Sequence, residues 1–278
     1  MSSKMDQRQL FALLQLTDSA FPIGGFSHSL GLETFTQHYL VSRKKMEPEA
    51  LLHALICIIE NSGSLSLPFV RAAYNVIDKH NTAKDGRQQN PPAVPKAVVN
   101  SELNGQKTES LGTKQEANEK LSFAAQSLVQ LDKLYEACSS NHIAKRASTR
   151  QGRSLLEASL YTFPDLARQG MGRLSIELPH CHHAVLHGTI MAGLGLGLED
   201  AVSSFMFGIV RTLVATAVRL DALGAMEAQR VQWKLHEICA DVIKRNKSKP
   251  VDEACVKFPV LDILQNTQDK LFAKLFYS

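Results

Sequence analysis

Leu10, Leu13, Leu14 and Leu16 recur at helical spacing ahead of a Pro-Gly-Gly bend, and the same kind of patterning fills most of the chain. From Pro48 to Glu60 the apolar positions Leu51, Leu52, Leu55, Ile56 and Ile59 share one helical side, with Pro48 at an acceptable early position. Leu67 to Ile77 continues the pattern through Phe69, Val70, Ala73, Tyr74 and Ile77. Further helices are predicted over 121–138, 143–161, 183–194, 201–220 and 226–244. Runs of alternating β-branched residues are nearly absent. The expected fold is all-α, one domain over residues 1–278 built as a bundle of roughly eight to ten helices.

Two stretches break the pattern. Residues 80–120 hold Asn, Gln, Lys, Glu, Ser and Gly with Pro91, Pro92 and Pro95, and almost no large apolar residues. Such a segment buries too little surface to offset its ordering entropy, and reads as a disordered insertion between two helices of one domain. The second stretch runs from Asp18 to Glu33 and packs Pro22, Gly24, Gly25 and Gly31 between two helical runs. Proline fixes φ and glycine reaches conformations closed to other residues, so this is a specified backbone path. Ser27, His28, Ser29 and Glu33 ride on it as polar groups, which suits either an active-site loop or a docking surface.

Composition narrows the class. The chain has 278 residues, 44% hydrophobic and 21% charged, as expected for a globular protein with a full core. A net charge of +4 without a Lys/Arg stripe and interleaved aromatics argues against nucleic-acid binding, while a basic surface suits an acidic protein partner. Five scattered cysteines (Cys57, Cys138, Cys181, Cys239, Cys255) form no CxxC pair, so a reducing, cytoplasmic setting is expected. Residues 1–9 lack the apolar stretch of a secretory signal. The apolar run 201–220 carries Arg211 and Arg219 and reads as a buried core helix, with no membrane role.

Candidate chemistry centres on Pro179-His180-Cys181-His182-His183-Ala-Val-Leu-His187. His183 and His187 at i, i+4 place two imidazoles on one helical face, and His180, Cys181 or His182 could add a third ligand. The metalloprotease pattern needs a Glu after the first His, where this chain has Ala184, so no general base is evident. Hydrogen-bonded histidines at a partly buried helix start are the plainer reading. Gly193, Gly195 and Gly197 follow a helix rather than a strand and read as a C-cap ahead of Glu199 and Asp200, not as a dinucleotide loop. No GxxxxGK[ST] loop occurs. Gly25-Phe26-Ser27-His28-Ser29 lacks the second glycine of a GxSxG elbow.

Residues 14–33, reading LQLTDSAFPIGGFSHSLGLE, closely resemble the N-terminal signature of the urease accessory protein family UreF. Ala147 to Leu156 is similar to the family's central helix, His183 to Asp200 to its next helix and turn, and Pro259 to Ile263 with Lys274 to Ser278 to its C-terminal tail. The resemblance implies an all-α scaffold, without catalysis or a cofactor of its own, that helps assemble urease's nickel site. It implies homodimers that bind the accessory protein UreD (UreH in some species) and recruit the GTPase UreG, which binds the GTP. Nickel is then the cargo delivered to apo-urease. The partner-contacting positions it implies are Pro22, Gly24, Gly25, Phe26, Ser27, His28, Ser29, Glu33, Arg150, Gln151, Lys274, Leu275 and Phe276. Gln268 and Lys274 stand where the family usually has His and Arg.

The alternative from the residues alone is a metal-binding helical protein or metal-dependent enzyme using His180, His182, His183 and His187. The end of the chain, 258–278, carries Leu264, Leu271, Phe272, Leu275 and Phe276 without covalent restraint. An apolar terminus of this kind is expected to dock, on its own fold or on another protein, and is read as ordering on a UreD-like partner.

Overall fold

A computed structural model of the chain describes residues 5–43, 46–88 and 109–278, and these form eleven α-helices with short 3-10 turns and no strand among the described residues. The helices are α1 (Gln7–Thr17), α2 (Leu32–Arg43), α3 (Pro48–Gln88), α4 (Glu109–Cys138), α5 (His142–Thr162), α6 (Pro164–Arg168), α7 (Leu174–Glu177), α8 (His183–Gly193), α9 (Leu198–Arg219), α10 (Ala225–Asn246) and α11 (Pro259–Asn266). The all-α expectation holds. The count exceeds the expected eight to ten because α6 and α7, with five and four residues, are too short to show a hydrophobic period of their own.

Helix α8 is the centre of the bundle. Every residue from Ala184 to Gly193 is buried, the behaviour of a helix that is apolar all round. It lies against α3 at Gly188, where an added Cβ would come 2.1 Å from the Val70 carbonyl oxygen. It meets α5 near Gly152, where a Cβ would come 1.9 Å from the Cys181 carbonyl oxygen. Two glycines thus set backbone-to-backbone contacts that no larger residue allows. Helices α3, α9 and α10 close the other sides, with Phe69, Leu186, Ile190, Met206 and Leu235 in the shared core. Residues Pro48–Thr82 and Leu198–Arg219 are long and apolar enough to cross a membrane, but both are core helices of this bundle. The Arg211 guanidinium in α9 donates to the Thr17 carbonyl at the end of α1.

Two helices predicted over 48–60 and 67–77 are one continuous helix that passes through Pro68. Proline has no N–H, so the Ser64 carbonyl four residues earlier loses its intrahelical donor. The Cys255 N–H takes that place at 3.3 Å, and the Ser64 hydroxyl donates to the Cys255 carbonyl at 2.8 Å. One turn back, Asn61 accepts from the Lys257 and Phe258 N–H groups and donates to the Phe258 carbonyl. The gap left by proline is therefore the anchor for the strand-like segment that leads into α11. Residues 89–108, the middle of the expected 80–120 insertion, lie outside the described residues. Its flanks are helical, in keeping with the helix-forming character of Lys, Arg, Gln and Glu.

Candidate functional site

The bend between α1 and α2 is built as expected from turn chemistry, with one correction. Gly24 (φ 72°) and Gly31 (φ 88°) occupy the left-handed region, and Leu30 joins them at φ 54°. Gly25 does not; a Cβ there would lie 3.7 Å from Gln151 Oε1 and Thr212 Oγ1, an ordinary contact. The conformational demand therefore falls on Gly24 and Gly31. After Gly24 a 3-10 turn (Gly25–Ser27) is closed by the Ser27 hydroxyl donating to the Gly24 carbonyl at 2.8 Å. Pro22 and Phe26 stay exposed, Phe26 at 74%, while His28, Ser29 and Glu33 are fully buried.

What buries them is the chain's own C-terminal segment. Past Phe258, α11 is held by Asn141, whose side chain caps α5 through the Ile143 and Ala144 N–H groups. The same side chain donates to Asp262 and Gln265. Residues 268–278 then lie along the bend. The Glu33 carboxylate accepts the Leu275 N–H at 2.6 Å, the Phe276 N–H at 3.2 Å and the Gln268 side-chain amide at 2.5 Å. The Tyr277 N–H donates to the Ser27 carbonyl at 2.9 Å and the Ser29 N–H to the Ser278 carbonyl at 2.6 Å. His28 Nδ1 sits 2.5 Å from the Ser278 hydroxyl. The tail is ordered on its own fold, so no partner is needed to order it.

Arginines clamp the outside. Arg146 makes a forked pair with Asp269 at 2.8 and 3.0 Å and donates to the Tyr277 carbonyl. The Arg146 and Arg150 guanidinium groups lie 4.9 and 4.1 Å from the Tyr277 ring centroid, and Arg219 lies 4.2 Å from that of Phe276. The hydrogen bond from Arg146 holds the Asp269 carboxyl down at about 2. Burial, then the charges of Arg150 and Arg146, push His28 down to about 4. A neutral, sealed His28 bound to Ser278, with Ser27 spent on Gly24, is not an available base–nucleophile pair. Gln268 supplies a neutral amide donor to Glu33, and Lys274 keeps a 3.7 Å ion pair with Asp269.

The outer surface of this joint is apolar. Phe26, Phe272, Leu275 and Tyr277 are 74%, 107%, 60% and 46% exposed, next to Arg219 and Lys274. Of the positions implied by the resemblance, Gly24, Gly25, Phe26, Ser27, His28, Ser29, Glu33, Arg150, Leu275 and Phe276 come together here. Lys274 borders them, Gln151 lies beneath, and Pro22 stands on the α1 side. Sequence reading missed Arg146 and Asp269, and named Arg219 and Gln268 without placing them at this joint. Only the Arg146–Arg150 spacing of i, i+4 on α5 offered a signal.

The histidine segment divides differently from its expected grouping. His183 and His187 lie inside the bundle with ring centroids 5.9 Å apart, each packed on Phe205. His187 Nε2 is held by the Ala201 carbonyl and the Ser204 hydroxyl, and burial pushes His183 to about 3 and His187 to about 4. His187 is thus a satisfied core histidine, while the His183 ring packs on Phe205 and its backbone N–H donates to the Ser148 hydroxyl at 3.2 Å. His180 and His182 turn instead toward α4, where Glu136 Oε2 lies 3.0 Å from His182 Nε2 and 4.0 Å from His180 Nδ1. Asp132, one turn earlier on α4, accepts the N–H groups of His180, Cys181 and His182 at 2.8, 3.1 and 2.8 Å. Cys181 at φ 63° bends the chain so that three consecutive donors converge on that buried carboxylate. The i, i+4 pair Asp132 and Glu136 was the sequence signal for this site and was overlooked.

Comparison with known proteins supports the family reading. The chain is 29% identical to urease accessory protein F of Oryza sativa subsp. indica over 99% of its length and 87% of the relative's. It is 28% identical to urease accessory protein F of Arabidopsis thaliana, over 95% of this chain and 90% of that one. With urease accessory protein UreF of Trichodesmium erythraeum it shares 27% identity over 98% and 97% of the two chains. The UreF family model matches residues 47–236, more than half of the sequence. On that match the chain belongs to the UreF family.

Proposed function

We propose that this chain is a urease accessory protein that acts as a non-enzymatic scaffold. It docks a UreD/UreH-like accessory protein, recruits a UreG-like GTPase and so serves nickel insertion into apo-urease, as a homodimer in the cytoplasm. Nickel is the cargo of the complex and GTP the ligand of the partner. The observation that carries this reading is the bend–tail joint. Ten of the thirteen family-implied positions meet in one hydrogen-bonded junction that presents Phe26, Phe272, Leu275 and Tyr277 outward with a basic border. An apolar patch rimmed by charge is what a protein partner covers. The polar groups beneath it are consumed in holding the tail. Five free cysteines fit the reducing compartment.

The test is co-purification with UreD-like and UreG-like proteins, followed by urease activation with and without this chain. Removal of Phe272–Ser278 is expected to lose the UreD-like partner and activation together. Unchanged pull-down by the truncated chain would sink the docking assignment.

A further inference from the structure

We propose that Glu136, His180 and His182 form a binding site for one divalent transition-metal ion, zinc or nickel in type, apart from the bend–tail joint. The three donor atoms lie within 4.8 Å of one another. Ions bound at about 2.0–2.2 Å hold neighbouring ligands roughly 3–3.6 Å apart, so closure needs a shift of about 1 Å. His180 can supply it, because its side chain is 35% exposed and its ring already lies 5.6 Å, centroid to centroid, from that of His182.

The remainder is preorganised. Asp132 fixes the backbone of residues 180–182 against the last turns of α4, the same turns that carry Glu136. His182 is fully buried, and its Nδ1 lies 3.2 Å from the Ser148 hydroxyl. That contact orients the ring, and the hydroxyl can accept the Nδ1 proton when Nε2 turns its lone pair to a metal. Two imidazoles and a carboxylate suit zinc, nickel or copper and disfavour calcium and magnesium, which prefer all-oxygen shells. Three protein ligands leave the remaining positions to water, so the ion is exchangeable rather than sealed. Lys145 Nζ sits 2.8 Å from Glu136 Oε1, on the oxygen that faces away from the histidines. It balances the carboxylate without an ion and competes with one.

The full-length chain, stripped with chelator, is titrated calorimetrically with zinc(II) and with nickel(II), and with cobalt(II) as a visible-absorption reporter. One equivalent is expected to bind. H180A and E136Q are expected to weaken binding about tenfold or more. H142A, a histidine on the exposed side of α5, is expected to change nothing. K145Q is expected to tighten binding, because the carboxylate loses its competing cation. Unchanged circular dichroism and urea midpoints of metal-free H180A and E136Q show that the fold is intact. A parent chain that takes up no ion at millimolar concentration overturns the proposal, as does binding by H180A and E136Q at parental affinity. The site does not rest on the accessory role, so a failed titration leaves the docking reading to its own test.

Discussion

Glu33, on the first turn of α2, holds the backbone N–H of Leu275 at 2.6 Å across 242 residues of sequence, and that bond is the centre of the junction between bend and tail. A buried carboxylate that accepts two backbone donors and one amide is worth more by what its loss leaves behind than by the bonds themselves.

Glu33→Ala is expected to cost about 2–4 kcal/mol, since it leaves three donors buried without acceptors. Glu33→Gln should cost less, because one oxygen remains. Urea unfolding gives the magnitude, and hydrogen exchange of residues 268–278 shows whether the tail has lifted. Protection equal to the parent in the alanine variant would remove Glu33 from this role.

The helix contacts at glycine predict opposite signs for the same substitution. Gly188→Ala forces a methyl into the Val70 carbonyl, and should destabilise by about 3 kcal/mol or more, or prevent folding. Gly208→Ala, within α9 with nothing within 4 Å of the added carbon, should stabilise by about 0.5–1 kcal/mol. Thermal melts of the two variants decide it; equal shifts would contradict the packing.

His28 and His187 are both held near 4, against an ordinary value of 6.5. Burial is the main cause for each; the charges of Arg150 and Arg146 add to it at His28, while the bond to the Ala201 carbonyl opposes it at His187. Between these values the unfolded chain binds more protons than the folded one, so stability rises with pH there. It is lost as pH falls from 6.5 toward 4, with a slope approaching about 1.4 kcal/mol per unit for each histidine. Urea midpoints at pH 7.5 and 5.5 should differ, and less so in His187→Gln. A flat profile would mean that these rings are not neutral in the fold.

Asp132→Ala removes the acceptor of three N–H groups ahead of α8 and should cost about 3 kcal/mol or more. Asp132→Asn should recover little, because its amide presents a donor to donors. Chemical denaturation of both variants measures this, and a near-neutral alanine variant would show that water replaces the carboxylate.

The positions of α5, α8, α9 and α10 were legible to within three residues because each carries its own apolar period, and periodicity is local. The Pro-Gly bend was legible because φ restrictions are local too, although which glycines bear the strain was not. Helix α3 was misread at Pro68, since the donor that rescues the Ser64 carbonyl comes from Cys255, far along the chain. The histidine segment was misgrouped for a related reason. Helical spacing pairs His183 with His187, but Asp132 bends the chain just before α8 and sends His180 and His182 to Glu136.

Local patterning by itself therefore determined the class of fold, the helical segments of the core and the bend, while the signature residues carried the resemblance to the family. The tertiary structure alone decided where the tail lies, which histidines share a carboxylate and which glycines are indispensable. Those outcomes depend on hydrogen bonds and close approaches between residues tens to hundreds of positions apart. No period of 3.6 residues records them, because the partner of each group is set by how the helices pack.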